Sequence, residues 1–287
     1  MTEFDARREK DAPLRQDIRT LGNALGQAIQ QHRGHAVFAT VERLRAACKR
    51  LRDCDQQLLD ASPEETERLR SEIRQLDQEI VAIVEGCSLD TAIDVIRAFT
   101  VYFHLVNTAE QYHRIRRRRV YEVSHGGRSQ RGSLPALLQF LQKNDLSATT
   151  IQKLLDQLSI ELVFTAHPTE ATRRSLITKT RNVADLLEIW DQQHEKMTSR
   201  QQKHWQRDLE GVIDLLWRTD TVRHVRPQPL DEIKMGIYYL DEILYDALPD
   251  LYAEFEELLH EVYPDLSVPP FMRLGSWIGG DRMVTPS

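Results

Sequence analysis

Apolar residues recur along this chain at helical spacing. Leu14, Ile18, Leu21, Leu25 and Ile29 are separated by 4, 3, 4 and 4 positions, which lines one face of a helix. Val37, Val41, Leu44, Cys48 and Leu51 repeat the pattern, as do Leu69, Ile73, Leu76, Ile80 and Ile83. The third run opens on Ser62-Pro63-Glu64-Glu65. Serine caps free amides, proline suits the first turn, and the acids suit the positive end of the helix dipole. A fourth helix carries Ile93, Ile96, Phe99, Phe103 and Val106 and is expected to run on towards Arg119. Shorter helices are expected over 134–142 and 150–158, then longer ones near 171–194, 199–218, 231–246 and 251–261.

The period changes twice. Ile160-Glu161-Leu162-Val163-Phe164-Thr165 reads as a short buried strand, and Phe271-Met272-Arg273-Leu274-Gly275-Ser276 as a second. Two short strands make no stable sheet alone. They pair with each other or need strands from elsewhere. Ser124 to Ser133, with glycines at 126, 127 and 132, reads as a polar linker. The expected organisation is a helical region over 1–123, the linker 124–133, and a mixed region over 134–287.

Composition narrows the function classes. The 287 residues hold 38 Lys plus Arg against 44 Asp plus Glu, a net charge of −6, which disfavours a dedicated nucleic-acid binder. No apolar stretch reaches the ~18 residues of a membrane span, and the N-terminus lacks a secretory apolar core. Cys48, Cys54 and Cys87 form no CxxC, so a zinc site or disulfide framework is not expected and a cytoplasmic setting fits.

Three stretches carry candidate chemistry. In Phe164-Thr165-Ala166-His167-Pro168-Thr169-Glu170-Ala171-Thr172-Arg173-Arg174 a histidine follows a strand and precedes a helix. Strand C-termini are where barrels and open α/β sheets place active sites. Pro168 biases His167 towards an extended backbone, imidazole exchanges protons near neutral pH, and Arg173 and Arg174 favour an anion. The plainer alternative is a loop histidine beside two surface arginines. In Leu274-Gly275-Ser276-Trp277-Ile278-Gly279-Gly280-Asp281-Arg282 the glycines permit close backbone approach and Arg282 offers a fork of donors. A turn with an Asp–Arg pair is the alternative. Arg114-Ile115-Arg116-Arg117-Arg118-Arg119 suits an anion or RNA, or a helix end paired with its own acids, Glu110 with Arg114 among them.

These stretches together resemble phosphoenolpyruvate carboxylases. The catalytic-histidine signature of that family is matched by Thr165-Ala166-His167-Pro168-Thr169-Glu170 with Arg173-Arg174. Asp11-Ala12-Pro13-Leu14-Arg15 with Asp17-Ile18-Arg19, Asn107-Thr108-Ala109-Glu110-Gln111, Leu216-Trp217-Arg218-Thr219-Asp220 and Gly275 to Arg282 follow the family's order. The resemblance implies a predominantly α-helical chain that forms the N-terminal part of a TIM-like (β/α) barrel enzyme with many extra helices, about two barrel strands being present. It implies carboxylation of phosphoenolpyruvate by bicarbonate to oxaloacetate and phosphate, with His167 catalytic and Arg282, Arg173 and Arg174 binding substrate or anion. It further implies a cytoplasmic homotetramer that uses magnesium or manganese, without nucleic acid or membrane as partner. The family's metal-binding acids and second catalytic motif have no counterpart here, so no metal ligand is expected in this chain and the chain alone is expected to be inactive. A non-catalytic helical protein-interaction module is the alternative. The family continues Gly-Gly-Asp-Arg as Asp-Gly-Asn-Pro, whereas this chain reads Met283-Val284-Thr285-Pro286-Ser287; for one choice of codons a single deleted base yields this tail, the alternative being a chosen chain end or a gene-model error. The expectation is a truncated carboxylase.

Overall fold

The structure, a computed structural model, describes residues 10–59, 61–124, 132–144, 146–165, 174–220 and 229–278, with Glu122 and Pro229 described by their backbone alone. The elements are α1 (Ala12–Leu58), α2 (Pro63–Glu85), α3 (Leu89–Ser124), α4 (Leu134–Lys143), α5 (Ala148–Gln157), β1 (Ile160–Phe164), α6 (Arg174–Gln193), α7 (Ser199–Trp217), α8 (Pro229–Tyr239), α9 (Tyr245–His260) and β2 (Met272–Ser276). A 3-10 turn, His194–Lys196, follows α6, and a π-helical turn, Leu240–Leu244, joins α8 to α9. The described chain is thus mostly helical with one pair of strands.

Two sequence expectations change in detail. The runs at 14–29 and 37–51 fall in one element, α1, kinked at Gly34, whose φ of 81° and ψ of 174° suit a residue without a Cβ. The helices expected at 231–246 and 251–261 form one run from Pro229 to His260. The π-helical turn precedes Pro249, which has no N–H to give the preceding turn.

The chain divides into two compact units, Met1–Arg114 with Ser175–Thr221 and Ile115–Arg174 with Val222–Ser287. In the first, Leu21, Leu25 and Ile29 of α1, Val101 and Leu105 of α3, Val183 and Leu187 of α6, and Leu209, Ile213 and Leu216 of α7 form one core. In α1 the face read from the sequence, Leu21, Leu25 and Ile29, is the buried one, whereas in α3 the expected stripe is not: Ile93, Ile96 and Phe103 are exposed, and Val95, Ala98, Val101 and Leu105 face the core instead. Polar contacts tie the helices at the margin of this core. Arg33 Nε lies 2.9 Å from Oδ1 of the buried Asp94, and His32 Nε2 contacts Asp214 Oδ1. A smaller cluster joins Cys54, Leu69 and Leu76 between α1 and α2. The capping box at Ser62 forms. Its hydroxyl accepts from the Glu65 amide, and the Glu65 carboxylate accepts from the Ser62 amide at 3.0 Å.

The second unit has its own core, in which Leu138, Ile151 and Leu155 pack with Phe255, Leu259, Leu266, Val268 and Phe271. Gln152 ties α5 to the approach of β2 through paired amide contacts. It accepts from the Ser267 amide at 3.0 Å and donates to the Ser267 carbonyl at 3.1 Å. The Tyr252 hydroxyl accepts from the amides of Phe271 and Met272 at 2.8 and 2.9 Å, which aims the chain into β2.

Candidate functional site

β1 and β2 pair with each other in parallel, Ile160 opposite Met272 and Phe164 opposite Ser276. A parallel pair needs a long crossover, here the residues between 164 and 272, which include α6 to α9. The ladder extends past both ends. The Ile160 amide donates to the Phe271 carbonyl, and the Trp277 amide to the Phe164 carbonyl, each at 2.8 Å. The C-terminal ends of the strands therefore lie side by side, and residues 165 and 277 leave the sheet from neighbouring points.

Close packing accompanies this pairing. A Cβ on Gly275 would lie 2.8 Å from Oε1 of Glu161 and 3.4 Å from Cγ2 of Val163. A Cβ on Gly236, in α8, would lie 2.7 Å from Cδ1 of Ile278. Glycine at both positions lets the two strands, and then α8 and the chain after β2, approach one another. The strand side chains are not buried as the sequence suggested, since Leu162 and Leu274 are 39% and 42% exposed. Sheets of two strands cover neither face by themselves.

Of the candidate residues, His167, Arg173 and Arg282 lie outside the described residues. In the sequence His167 stands three positions beyond the end of β1, and Arg282 six beyond the end of β2. Arg174 begins α6. Its Nη2 donates to Oε1 of Glu242 at 3.1 Å, and its Cζ lies 5.0 Å from the centre of the Tyr238 ring. Tyr238 and Glu242 are four residues apart on one helical run, so a single face presents a π surface and a carboxylate to one guanidinium. Neither partner is marked in the sequence beyond its helical spacing. The chemistry on offer is a planar cation, of a kind suited to bidentate recognition of phosphate or carboxylate.

The arginine run forms part of α3. Arg116 is buried, at 8% exposure, whereas Arg114, Arg117, Arg118 and Arg119 are exposed. No group of three or more His, Cys, Asp or Glu among the described residues fits a metal ion. No helix among them is long and apolar enough to cross a membrane.

The profile of the family described as phosphoenolpyruvate carboxylase matches residues 14–287. The phosphoenolpyruvate carboxylase of Acinetobacter baylyi is 35% identical over 280 residues, 96% of this chain and 29% of that protein. Those of Paraburkholderia xenovorans and Roseiflexus castenholzii are 36% and 38% identical, over 98% of this chain and 26% and 28% of their own lengths. The chain thus spans between a quarter and a third of the curated relatives it matches.

Proposed function

Because the chain belongs to the phosphoenolpyruvate carboxylase family, we propose that it serves the carboxylation of phosphoenolpyruvate by bicarbonate. In that reaction a bicarbonate oxygen attacks phosphorus and the bond to the enol oxygen breaks, giving carboxyphosphate and the enolate of pyruvate. Carboxyphosphate then separates into carbon dioxide and phosphate, and the enolate carbon bonds to carbon dioxide, giving oxaloacetate. The observation that carries this reading is the family match from residue 14 to residue 287, with the His167 motif inside it.

Each residue is assigned a task by its chemistry. His167 takes the proton of the carboxyphosphate and returns it to the departing phosphate, work suited to an imidazole. Arg282 holds a phosphate or carboxylate oxygen, and Arg173 and Arg174 bind anion beside the strand ends. The geometry of Arg174 on Tyr238 supports an orienting role for that residue. The parallel pairing of β1 and β2, with adjacent C-terminal ends, supports a TIM-like barrel in which these are two of the strands. The divalent cation used by the family supplies charge stabilisation of the enolate when bound. No group of three or more His, Cys, Asp or Glu among the described residues would hold it. By the same reading the chain works in the cytoplasm as part of a homotetramer, without nucleic acid or membrane. It forms oxaloacetate only together with segments corresponding to the rest of the relatives' length. A non-catalytic interaction module has no comparable support.

A chimera tests this. The matched segment of the Acinetobacter baylyi enzyme is replaced by these residues, and oxaloacetate is followed through coupled reduction to malate. The expected result is carboxylation by the chimera, none by the 287 residues alone, and loss of carboxylation in His167→Asn with phosphoenolpyruvate still bound. Carboxylation at the parent rate by the His167→Asn chimera would overturn the assignment.

A further inference from the structure

In the first unit, the chain on either side of the Gly34 kink borders a cleft of about 710 Å³ together with α3. Its size is that of a small-molecule site, for which roughly 300–1,000 Å³ is usual. Arg15 and Arg19 line it from before the kink and Arg45 from after it, while Phe38, Phe99 and Tyr102 supply aromatic surface. Glu42 is the one carboxylate in the lining. It is engaged by Arg45, whose Nη2 lies 2.7 Å from Oε2 and Nε 3.0 Å from Oε1. That hydrogen bond also raises the already high pKa of Arg45. Three arginines and one carboxylate thus line the cleft over a partly apolar floor.

Glycines shape its wall. A Cβ on Gly26 would lie 2.9 Å from Cε2 of Phe38, so the ring rests against bare helix backbone. At Gly22 the nearest atom to a built Cβ is Cε2 of Tyr102, 3.9 Å away. Space stands there where an ordinary side chain would fill it. Arg15 and Arg19 belong to the Asp11–Arg19 stretch, which the reaction proposed above does not use.

We propose that this cleft is a binding site for a small organic anion with at least two negative groups on a planar apolar body. The arginines take the negative groups, and Phe38, Phe99 and Tyr102 take the body. This proposal is independent of the carboxylase reading, and its test uses binding alone.

The test titrates naphthalene-1,5-disulfonate into the full 287-residue chain by calorimetry, with inorganic phosphate and uncharged naphthalene-2-methanol as comparison probes. The expected result is saturable 1:1 binding of the disulfonate, stronger than that of either comparison probe. Arg19→Gln weakens it about tenfold or more, the scale of one hydrogen bond to a charged group. Gly22→Leu, which suits a helix better than glycine, fills the cleft and abolishes binding. Arg207→Gln, on exposed α7 surface outside the cleft, leaves it unchanged. Helical circular dichroism checks that each variant is folded; if Gly22→Leu is not, Arg19→Gln against Arg207→Gln decides. Absence of 1:1 binding by the parent chain, or equal weakening by Arg19→Gln and Arg207→Gln, would overturn the proposal.

Discussion

The phenol of Tyr112 donates to Oδ2 of Asp191 at 3.0 Å, joining α3 to α6 across 79 residues of sequence. Tyr112 is buried, at 3% exposure. Its hydroxyl thus has a partner, and the carboxylate has a donor within the protein. Tyr112→Phe keeps the ring and its packing but takes one donor from Asp191. The expected loss is about 1.5–3 kcal/mol, the range for a hydrogen bond to a charged acceptor. Urea unfolding followed by tryptophan fluorescence measures it, since Trp190, Trp205 and Trp217 all lie in this unit. The midpoint should fall with the slope unchanged. An unmoved midpoint would show that the bond contributes nothing net.

The capping box of α2 gives a second expectation. Ser62→Ala removes the acceptor for the Glu65 amide and should cost about 1 kcal/mol, as N-cap losses typically do. Glu65 is held below the usual carboxylate range, chiefly by the Ser62 hydroxyl and then by the Ser62 amide. A carboxylate whose folded pKa is depressed contributes stability above its unfolded pKa. That contribution is lost as pH falls through the folded value. Acid titration of α2 unfolding should therefore show a component below the ordinary glutamate range that Glu65→Gln removes while keeping the box acceptor. Identical acid profiles for parent and variant would count against the box as the cause.

The helices were legible because their information is local. The spacing of Leu14, Ile18, Leu21, Leu25 and Ile29 and the Ser62-Pro63-Glu64-Glu65 opening each act within a few turns, and α1 and α2 follow them. The strands were legible from the change of period and pair as one of the two anticipated arrangements. What sequence spacing does not carry is partner choice at a distance. Glu242 lies 68 residues from Arg174. Nothing local marks the guanidinium for Tyr238 and Glu242, because that pairing depends on how α8 packs. The kinked continuity of α1 at Gly34 and the π-helical turn before Pro249 were missed for a related reason. Glycine and proline read as helix ends when the packing that carries a helix through them is unknown. His167, Arg173 and Arg282 fall outside the described residues, so their roles rest on motif and family.

Cysteine reactivity should separate the three thiols. Burial raises the Cys54 pKa, with Glu72 adding to the effect, and Cys54 packs with Leu69 and Leu76. Cys48 is exposed and Cys87 intermediate, its Sγ donating to the Ile83 carbonyl at 3.2 Å. The thiolate is the reacting form, so iodoacetamide should label Cys48 first and Cys54 last. Mass spectrometry of timed aliquots reads the order. Labelling of Cys54 as fast as Cys48 would mean that α1 and α2 separate readily.

His104 sets a pH dependence of opposite range to Glu65. Its pKa is lowered from the ordinary histidine value of 6.5 by desolvation. Below that value the unfolded chain takes up a proton that the folded chain resists, so stability rises with pH across the interval between folded and unfolded pKa values. The contribution is complete above about pH 6.5 and falls away as pH drops towards the folded pKa. His104→Gln, which does not titrate, should flatten this part of the profile. Urea midpoints measured from pH 5 to pH 8 for both chains test it, and matching slopes in the two would assign the dependence to another group.

Arg174 allows stability and function to be told apart. Its side chain is 70% exposed and that of Glu242 46% exposed. An ion pair so placed contributes roughly 0–1 kcal/mol, since water screens it and two long side chains are ordered to form it. The cation–π contact with Tyr238 adds about 0.5–1 kcal/mol at an exposed position. Removing the guanidinium should therefore lower stability only slightly. If Arg174 orients an anion beside the strand ends, its loss should show in the reaction instead. Lysine keeps the charge but not the planar fork that binds an oxyanion through two parallel bonds. In the chimera with the Acinetobacter baylyi enzyme, Arg174→Lys should leave the unfolding midpoint nearly unchanged and raise the KM for phosphoenolpyruvate about tenfold, the scale of one charge-assisted hydrogen bond. Glu242→Gln, which weakens the pair without touching the guanidinium, should change KM much less. Equal and small effects of both substitutions on KM would make Arg174 a surface residue with no part in anion binding. A large fall in the midpoint with unaltered kinetics would make it structural.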